Sequence, residues 1–372
     1  MPSCRVVLHA LDRTGPPVLG LTFVRWLRAQ HPEVAVDVVA FRGGALAGAC
    51  TQLAPTTILL DPEEPWDHDD PPMDRCVDLL AATGHLGEVD ATLAVSVASG
   101  HSLPYLGDRS GAVVCWAVEQ GEDLHWLDGR ADLPGRTNRW LAGAPAVADE
   151  LRRRLGPDTA VHVVPEFVDR RRAVNERQVA HCRGALDPTS SDLMVVGAGI
   201  ATHRKAPDLF HEVAVAHDRT ATGTTAWAWL GGERDPLFHR VLTEARRGPV
   251  RRFRMFGSVE DVVPWLAAGD VLVHPARLDA FPLVCLHAAF AGTPVVAFSG
   301  VGGVTEMFGP AFAGAPYPDV TALAEQVERL RDPDARVDLA DRQAAWAAER
   351  FSTAAAAPRL FDHLFPTVEG TA

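Results

Sequence analysis

Arg204 and Lys205 stand just behind a glycine turn in "MVVGAGIATHRKAPDLF", residues 194–210. An apolar run ending in Gly197-Ala-Gly199 reads as a strand entering a loop whose backbone can approach a ligand closely. Two adjacent cations at the far end of that loop suit a polyanion. Arg204 offers a planar fork of donors and Lys205 a compact point charge. The same glycines could begin a dinucleotide turn, so two chemistries compete. That turn needs a third glycine for close helix–strand packing, and Thr202 occupies the position. It also needs an acidic residue about 20 positions on, where the chain offers His217, Asp218 and a loop. Pro207 starts the next helix late, since proline suits only the first turn. The loop of residues 199–206 is therefore too long and too basic for a dinucleotide, and a pyrophosphate gripped by Arg204 and Lys205 is the better reading. Composition agrees: of 35 Lys plus Arg residues, Lys205 is the one lysine.

The second constellation is "HPARLDAFPLVCLHAAFAGTPVVAFSGVGGVTE", residues 274–306. A strand ends at His274-Pro275, a loop carries Arg277, Asp279 and Phe281, and Pro282 opens a helix. The backbone N–H groups of Leu283 and Val284 in its first turn form an anion site. Gly292 ends the helix, and "SGVGG" gives a second loop able to lie close to a ligand. Fixed donors of this kind can meet an anion's charge without reorganising. Asp67-His68-Asp69 is the one string resembling a metal motif. It is flanked by prolines and follows no strand, so it reads as a solvated acidic loop.

These groups need elements to hold them. A length of 372 residues predicts two domains at about 150 residues each. Apolar runs alternate with amphipathic stretches: "CRVVLHAL", "VAVDVVAF", "TTILL", "ATLAVSVAS" and "AVVCWAV" read as strands, and "PVLGLTFVRWLRAQ" as a helix. Strands separated by helices imply parallel sheets covered on both faces. A polar, irregular stretch over residues 170–192 separates this from a second series beginning at "LMVVGAG". Two doubly wound units joined near residue 180 follow, with a helical tail.

A net charge of −13 argues against nucleic acid as a partner. The strip Arg246, Arg247, Arg251, Arg252 and Arg254 reads as solvated surface, with peripheral contact to anionic lipid as the alternative. Six scattered cysteines without CxxC spacing read as reduced thiols. The chain shows neither a signal peptide nor a run of about 18 apolar residues, which predicts a cytoplasmic protein.

Five segments, in order, resemble the retaining glycosyltransferases of family 4: "RTGPPVLGLTFVRWL", "VVPEFVD", "HRKAPDLF", "FGSVEDVVPWLAAGDVLVHPA" and "LDAFPLVCLHAAFAGTPVVAFSGVGGVTE". The resemblance implies an α/β fold of the GT-B type, two Rossmann-like domains facing a central cleft. It implies an acceptor-binding domain over 1–175, to which the helix of about 350–372 returns, and a donor-binding domain over 185–348. The substrate is then a nucleotide sugar, with no cofactor and no metal, and the sugar passes with retention to a small-molecule, lipid or glycan acceptor. Arg204, Lys205 and Asp279 take the catalytic positions. Gly15, Gly199, Ser258 and Phe281 fall on the donor side, as do Pro282, Leu283, Val284 and His287. Gly15 would let its loop close on the donor, or is simply a turn before a proline-led helix. Glu119 in "CWAVEQGED" faces the acceptor or is a surface carboxylate, and His101 is similarly placed.

The chain departs from that family where two glutamates with seven residues between them become Asp279 and His287. Asp279 retracts the charge by roughly 1.5 Å, one C–C bond. His287 cannot accept from both ribose hydroxyls as a carboxylate does. It either touches one hydroxyl, the preferred reading, or packs in the core beside Leu283 and Phe290. A non-catalytic sugar-nucleotide binder and a sugar-nucleotide epimerase are the alternatives within the same fold. The Ala/Arg/Gly/Pro-heavy composition fits a bacterium with a GC-rich genome.

Overall fold

The computed structural model describes residues 1–61, 75, 76, 79, 82, 88–100, 110–121, 124, 127, 137, 139–170, 174–186, 192–232, 236–250 and 252–366. It divides into two compact units, Met1–Asp169 with Thr353–Ala372, and Arg170–Ser352.

The first unit is built on seven strands: β1 (Ser3–Ala10), β2 (Ala35–Arg42), β3 (Thr56–Leu60), β4 (Val89–Val95), β5 (Ser110–Ala117), β6 (Arg139–Ala142) and β7 (Val161–Val163). Their order is β3-β2-β1-β4-β5-β6-β7, and every pairing is parallel. Helices cover the sheet, so strands such as β1 are buried along nearly their whole length. Helix Gly15–Gln30 buries Leu19, Phe23, Val24 and Leu27 in this core. Helix Thr353–Leu364 returns to the same core through Ala356, Ala357, Leu360 and Leu364. Its alanines allow close approach, and Phe361 stacks on His31 with ring centroids 3.8 Å apart.

The second unit has six parallel strands: β8 (Leu193–Ala198), β9 (Thr225–Leu230), β10 (Phe253–Phe256), β11 (Val271–His274), β12 (Val295–Ser299) and β13 (Gly314–Pro316). Their order is β10-β9-β8-β11-β12-β13. Phe210, Trp227 and Trp229 fill the core beside β8. A Cβ on Gly197 would lie 2.7 Å from the Trp229 ring and 2.9 Å from Phe210. The first glycine of the "GAG" turn therefore serves packing.

Three local expectations are corrected. The stretch expected to be irregular contains helix Glu176–Leu186, with Cys182 and Leu186 buried beneath a polar surface. The unit boundary accordingly falls at residues 169–170 rather than near 180. The strand read through "ATLAVSVAS" stops at Val95, because Ser96 turns the chain with φ 84° into helix Val97–Gly100. Among the described residues, no helix is long and apolar enough to cross a membrane.

Both sheets reverse their winding once. In the first, β1 leads outward to β2 and β3, and β4 returns to the other side of β1; in the second, β8 and β11 flank the same reversal. Open α/β sheets take ligands beyond the carboxyl ends of the strands at such a point. The loops after β8 and β11 carry Arg204, Lys205 and Asp279.

Candidate anion site at the second switch point

The loop after β8 is shaped from both ends. Gly199 has φ 147°, and its carbonyl accepts a hydrogen bond from Trp229 Nε1 at 3.1 Å. Gly231, beyond β9, lies so close that a Cβ there would sit 2.6 Å from the Gly199 carbonyl oxygen. At the far end the buried Ala206 adopts the left-handed conformation, φ 57°, and Pro207 takes the first helical position. A non-glycine residue in that conformation costs about 1–2 kcal/mol, so neighbouring contacts must hold it.

The loop after β11 supplies them. Arg277 N–H donates to the Arg204 carbonyl at 2.8 Å, and Arg204 Nη1 donates to the Leu278 carbonyl at 3.3 Å. Arg277 Nη1 also reaches the His203 carbonyl at 2.9 Å. The Arg277 fork binds both oxygens of Asp208, at 2.9 and 2.8 Å. Asp279 is fixed from behind by the glycine loop: it forms a parallel bridge to Gly302, and Gly303 N–H donates to its carbonyl at 3.0 Å. A Cβ on Gly302 would lie 2.0 Å from that carbonyl oxygen. The bare backbone expected to meet a ligand is thus engaged with the Asp279 loop.

Four side chains converge. Lys205 Nζ donates to Asp279 Oδ2, Arg204 Nη1 stands 3.5 Å from Oδ1, and His274 Nε2 lies 3.2 Å from Oδ2. Asp279 and His274 are buried, 8% and 4% exposed, whereas the Arg204 side chain is 40% exposed. Burial alone would push the Asp279 carboxyl up, but Lys205, His274 and Arg204 hold it well below the usual carboxylate range. Burial keeps the His274 imidazole below its ordinary pKa despite the facing carboxylate, and the two cations add to that effect. With His274 neutral, two cations face one anion and the cluster carries one net positive charge. It can hold an anion.

Other expected residues fall in varied places. Pro282 is the cap of helix Leu283–Phe290 rather than its first residue, which puts Leu283 and Val284 in the opening positions, both partly exposed. Phe281 is buried edge-on against Phe351, with ring centroids 5.2 Å apart. The helix buries Cys285, Leu286, Ala288 and Ala289. His287 shares the half-exposed face with Leu283, Val284 and Phe290, so the core-histidine reading is not what the structure shows. Ser258 is exposed just beyond β10. Gly15 is exposed as the first residue of its helix and makes no use of left-handed backbone.

Glu119 is not a plain surface carboxylate. Its Oε2 accepts from Val97 N–H at 3.2 Å and Val118 N–H at 3.0 Å, and burial raises its pKa. Gly15 and Glu119 belong to the first unit, whereas Arg204, Lys205, Asp279, His287 and the Leu283 helix belong to the second. His101 and Asp67-His68-Asp69 lie outside the described residues, as does Arg251 of the basic strip; Arg246, Arg247 and Arg254 are exposed. The sequence reading overlooked His274 as a partner of Asp279, and it overlooked the Arg277–Asp208 pair. A buried-strand histidine just before a proline was the available signal for the first. The second joins positions 69 apart and left no signal in the sequence.

Residues 190–332 match the family model described as glycosyl transferases group 1. The chain is 28% identical over 248 residues to a D-inositol 3-phosphate glycosyltransferase of Streptomyces bingchenggensis, covering 63% of this chain and 54% of the relative. It is 26% identical over 201 residues to the lipopolysaccharide core biosynthesis glycosyltransferase LpsE of Rhizobium meliloti, covering 51% of this chain and 56% of that protein. The chain thus spans about half the length of the curated relatives it matches. Its fold is that of GT-B glycosyltransferase structures. Anabaena HepE in complex with UDP and glucose superposes with a TM-score of 0.79 at 17% identity, covering 98% of this chain and 99% of HepE. The lipopolysaccharide glycosyltransferase WaaG superposes with a TM-score of 0.73 at 14% identity, covering 98% and 100%.

Proposed function

We propose that this chain transfers a sugar from a nucleotide-sugar donor to a small-molecule, lipid or glycan acceptor, with Arg204 and Lys205 holding the donor's diphosphate. The observation that carries this reading is the convergence of both cations on Asp279 beside the reversal between β8 and β11. Breaking the bond from the anomeric carbon to the phosphate oxygen leaves negative charge on the diphosphate. Cations already fixed by their loop meet that charge without reorganising, and the first-turn amides of Leu283 and Val284 add to them. This charge balance does what a metal ion would do, so the reading requires none. In a retaining transfer the acceptor oxygen bonds to the anomeric carbon on the face the diphosphate leaves. The acceptor's proton passes to the departing phosphate oxygen, which removes the need for a separate base. Asp279 then lies beside the sugar, His287 beside the ribose and Ser258 near the base. Glu119, on the first unit, serves the acceptor side, and Gly15 serves the donor.

The UDP and glucose in the HepE complex, and the family match over residues 190–332, support a nucleotide-sugar donor. Lys205→Ala should cut turnover of the preferred donor by about 10²–10³, the loss seen when one fixed oxyanion donor is removed. Melting temperature should fall by a few degrees, because Asp279 loses its nearest partner, while the variant stays folded. Unchanged turnover in the folded variant removes the assignment. Nucleoside diphosphate released only when acceptor is present separates transfer from passive binding and from epimerisation.

A further inference from the structure

We infer that Arg277 is a positioning residue for the diphosphate grip, acting through the backbone of His203 and Arg204 and paired with Asp208 to do so. The inference rests on the reading of Arg204 and Lys205 given above. The loop they occupy ends in Ala206, a buried residue in left-handed backbone that relaxes unless something restrains it. Arg277 restrains it at three places: its N–H on the Arg204 carbonyl, its Nη1 on the His203 carbonyl, and its fork on Asp208 in the first turn of the following helix. The loop is thus held both just before Lys205 and just after Ala206.

The guanidinium is committed to this task. Nη1 serves both the His203 carbonyl and Asp208 Oδ1, Nη2 serves Asp208 Oδ2, and the side chain is 19% exposed. A lysine could keep the charge but could not span both carboxylate oxygens and the carbonyl. Asp208 stays ionised although burial opposes it, because Arg277 outweighs that cost. Arg277 therefore acts on the anion through geometry, by fixing where Arg204 and Lys205 point.

The test is calorimetric titration of the full chain with inorganic pyrophosphate, which probes the grip independently of the base. Wild type is compared with Lys205→Ala, Arg277→Ala, Arg277→Lys and Asp208→Asn, each well below its own melting temperature. Arg277→Ala should weaken binding about tenfold, the lower end of what partners of a ligating group contribute. Arg277→Lys should fail to restore it. Asp208→Asn should weaken it as well. A rise in affinity with Asp208→Asn would mean that the freed guanidinium binds phosphate directly, which overturns the inference. So would wild-type affinity in folded Arg277→Ala. A double-mutant cycle sharpens the outcome: once Arg204 and Lys205 are both alanine, Arg277→Ala should cost nothing further. An undiminished cost in that background means general loosening of the unit and likewise overturns it. If Lys205→Ala leaves pyrophosphate affinity intact, the grip itself falls. If Lys205→Ala weakens binding and Arg277→Ala does not, only the positioning role falls.

Discussion

The two switch points share a backbone device and differ in charge. Among the described residues, Ser96 and Ala206 are the non-glycine residues with positive φ, at 84° and 57°. Ser96 directly follows β4, and Ala206 closes the loop after β8, so each flanks the reversal of its own sheet. Strain of this kind persists where surrounding structure over-determines it. At the first point the local ionisable group is Glu119, met by neutral amides. At the second it is Asp279, met by two cations and a histidine. The same topology has been given a carboxyl whose pKa burial raises in one unit and an ionised, positively framed one in the other.

The largest effect should come from unbalancing the second point. Asp279→Asn removes the anion that occupies Lys205 and leaves two cations facing a neutral amide. The ligand-free variant should melt several degrees lower, since breaking a largely buried pair strands its partners. It should bind pyrophosphate about tenfold more tightly, because a competing charge within 4 Å is gone. Differential scanning fluorimetry with and without pyrophosphate reads both: the stabilisation by ligand should exceed that of wild type. Glu119→Gln, the matching change in the first unit, should leave pyrophosphate binding untouched. An equal response in both variants would erase the contrast.

A smaller effect follows from pH. Burial raises the Glu119 carboxyl above its ordinary 4.5, against hydrogen bonds from Ser96, Val97 and Val118. Its contribution to stability is complete below 4.5 and lost as pH climbs through the folded value. The Asp279 carboxyl is depressed from 3.8. Its contribution is present above 3.8 and lost as pH falls through the folded value. Hydrogen exchange followed separately on peptides of each unit should show first-unit protection declining as pH rises above 4.5. Glu119→Gln should flatten that decline and leave the second unit unchanged.

The smallest change concerns His287. Its half-exposed position predicts that His287→Glu tightens UDP binding roughly threefold, the value of one hydrogen bond. Melting temperature should stay within about 1 °C, as for other surface positions. A large drop would return His287 to the core.

Most of the fold was legible because buried parallel strands are mostly apolar runs, and β5 and β8 stand out as such. Helix Glu176–Leu186 was missed because it buries only Cys182 and Leu186, leaving too few apolar residues to set a period. The three-residue β13 is too short to announce itself. Arg204, Lys205 and Asp279 stood out because the one lysine adjoins an arginine in a loop that follows a strand, and Asp279 lies in a second such loop. Arg277, Asp208 and His274 did not, because their meaning lies in partners brought together by the sheet rather than by the chain.

The helix Thr353–Leu364 carries a consequence for biosynthesis. Its Ala356, Ala357, Leu360 and Leu364 complete the core around β1 and β4, yet a ribosome makes them after the entire second unit. The first unit leaves the exit tunnel lacking one wall, while residues 170–352 form an uninterrupted, self-contained insert. A nascent chain of this design is therefore expected to mature in reverse, the internal unit closing first and the leading one waiting for its final helix.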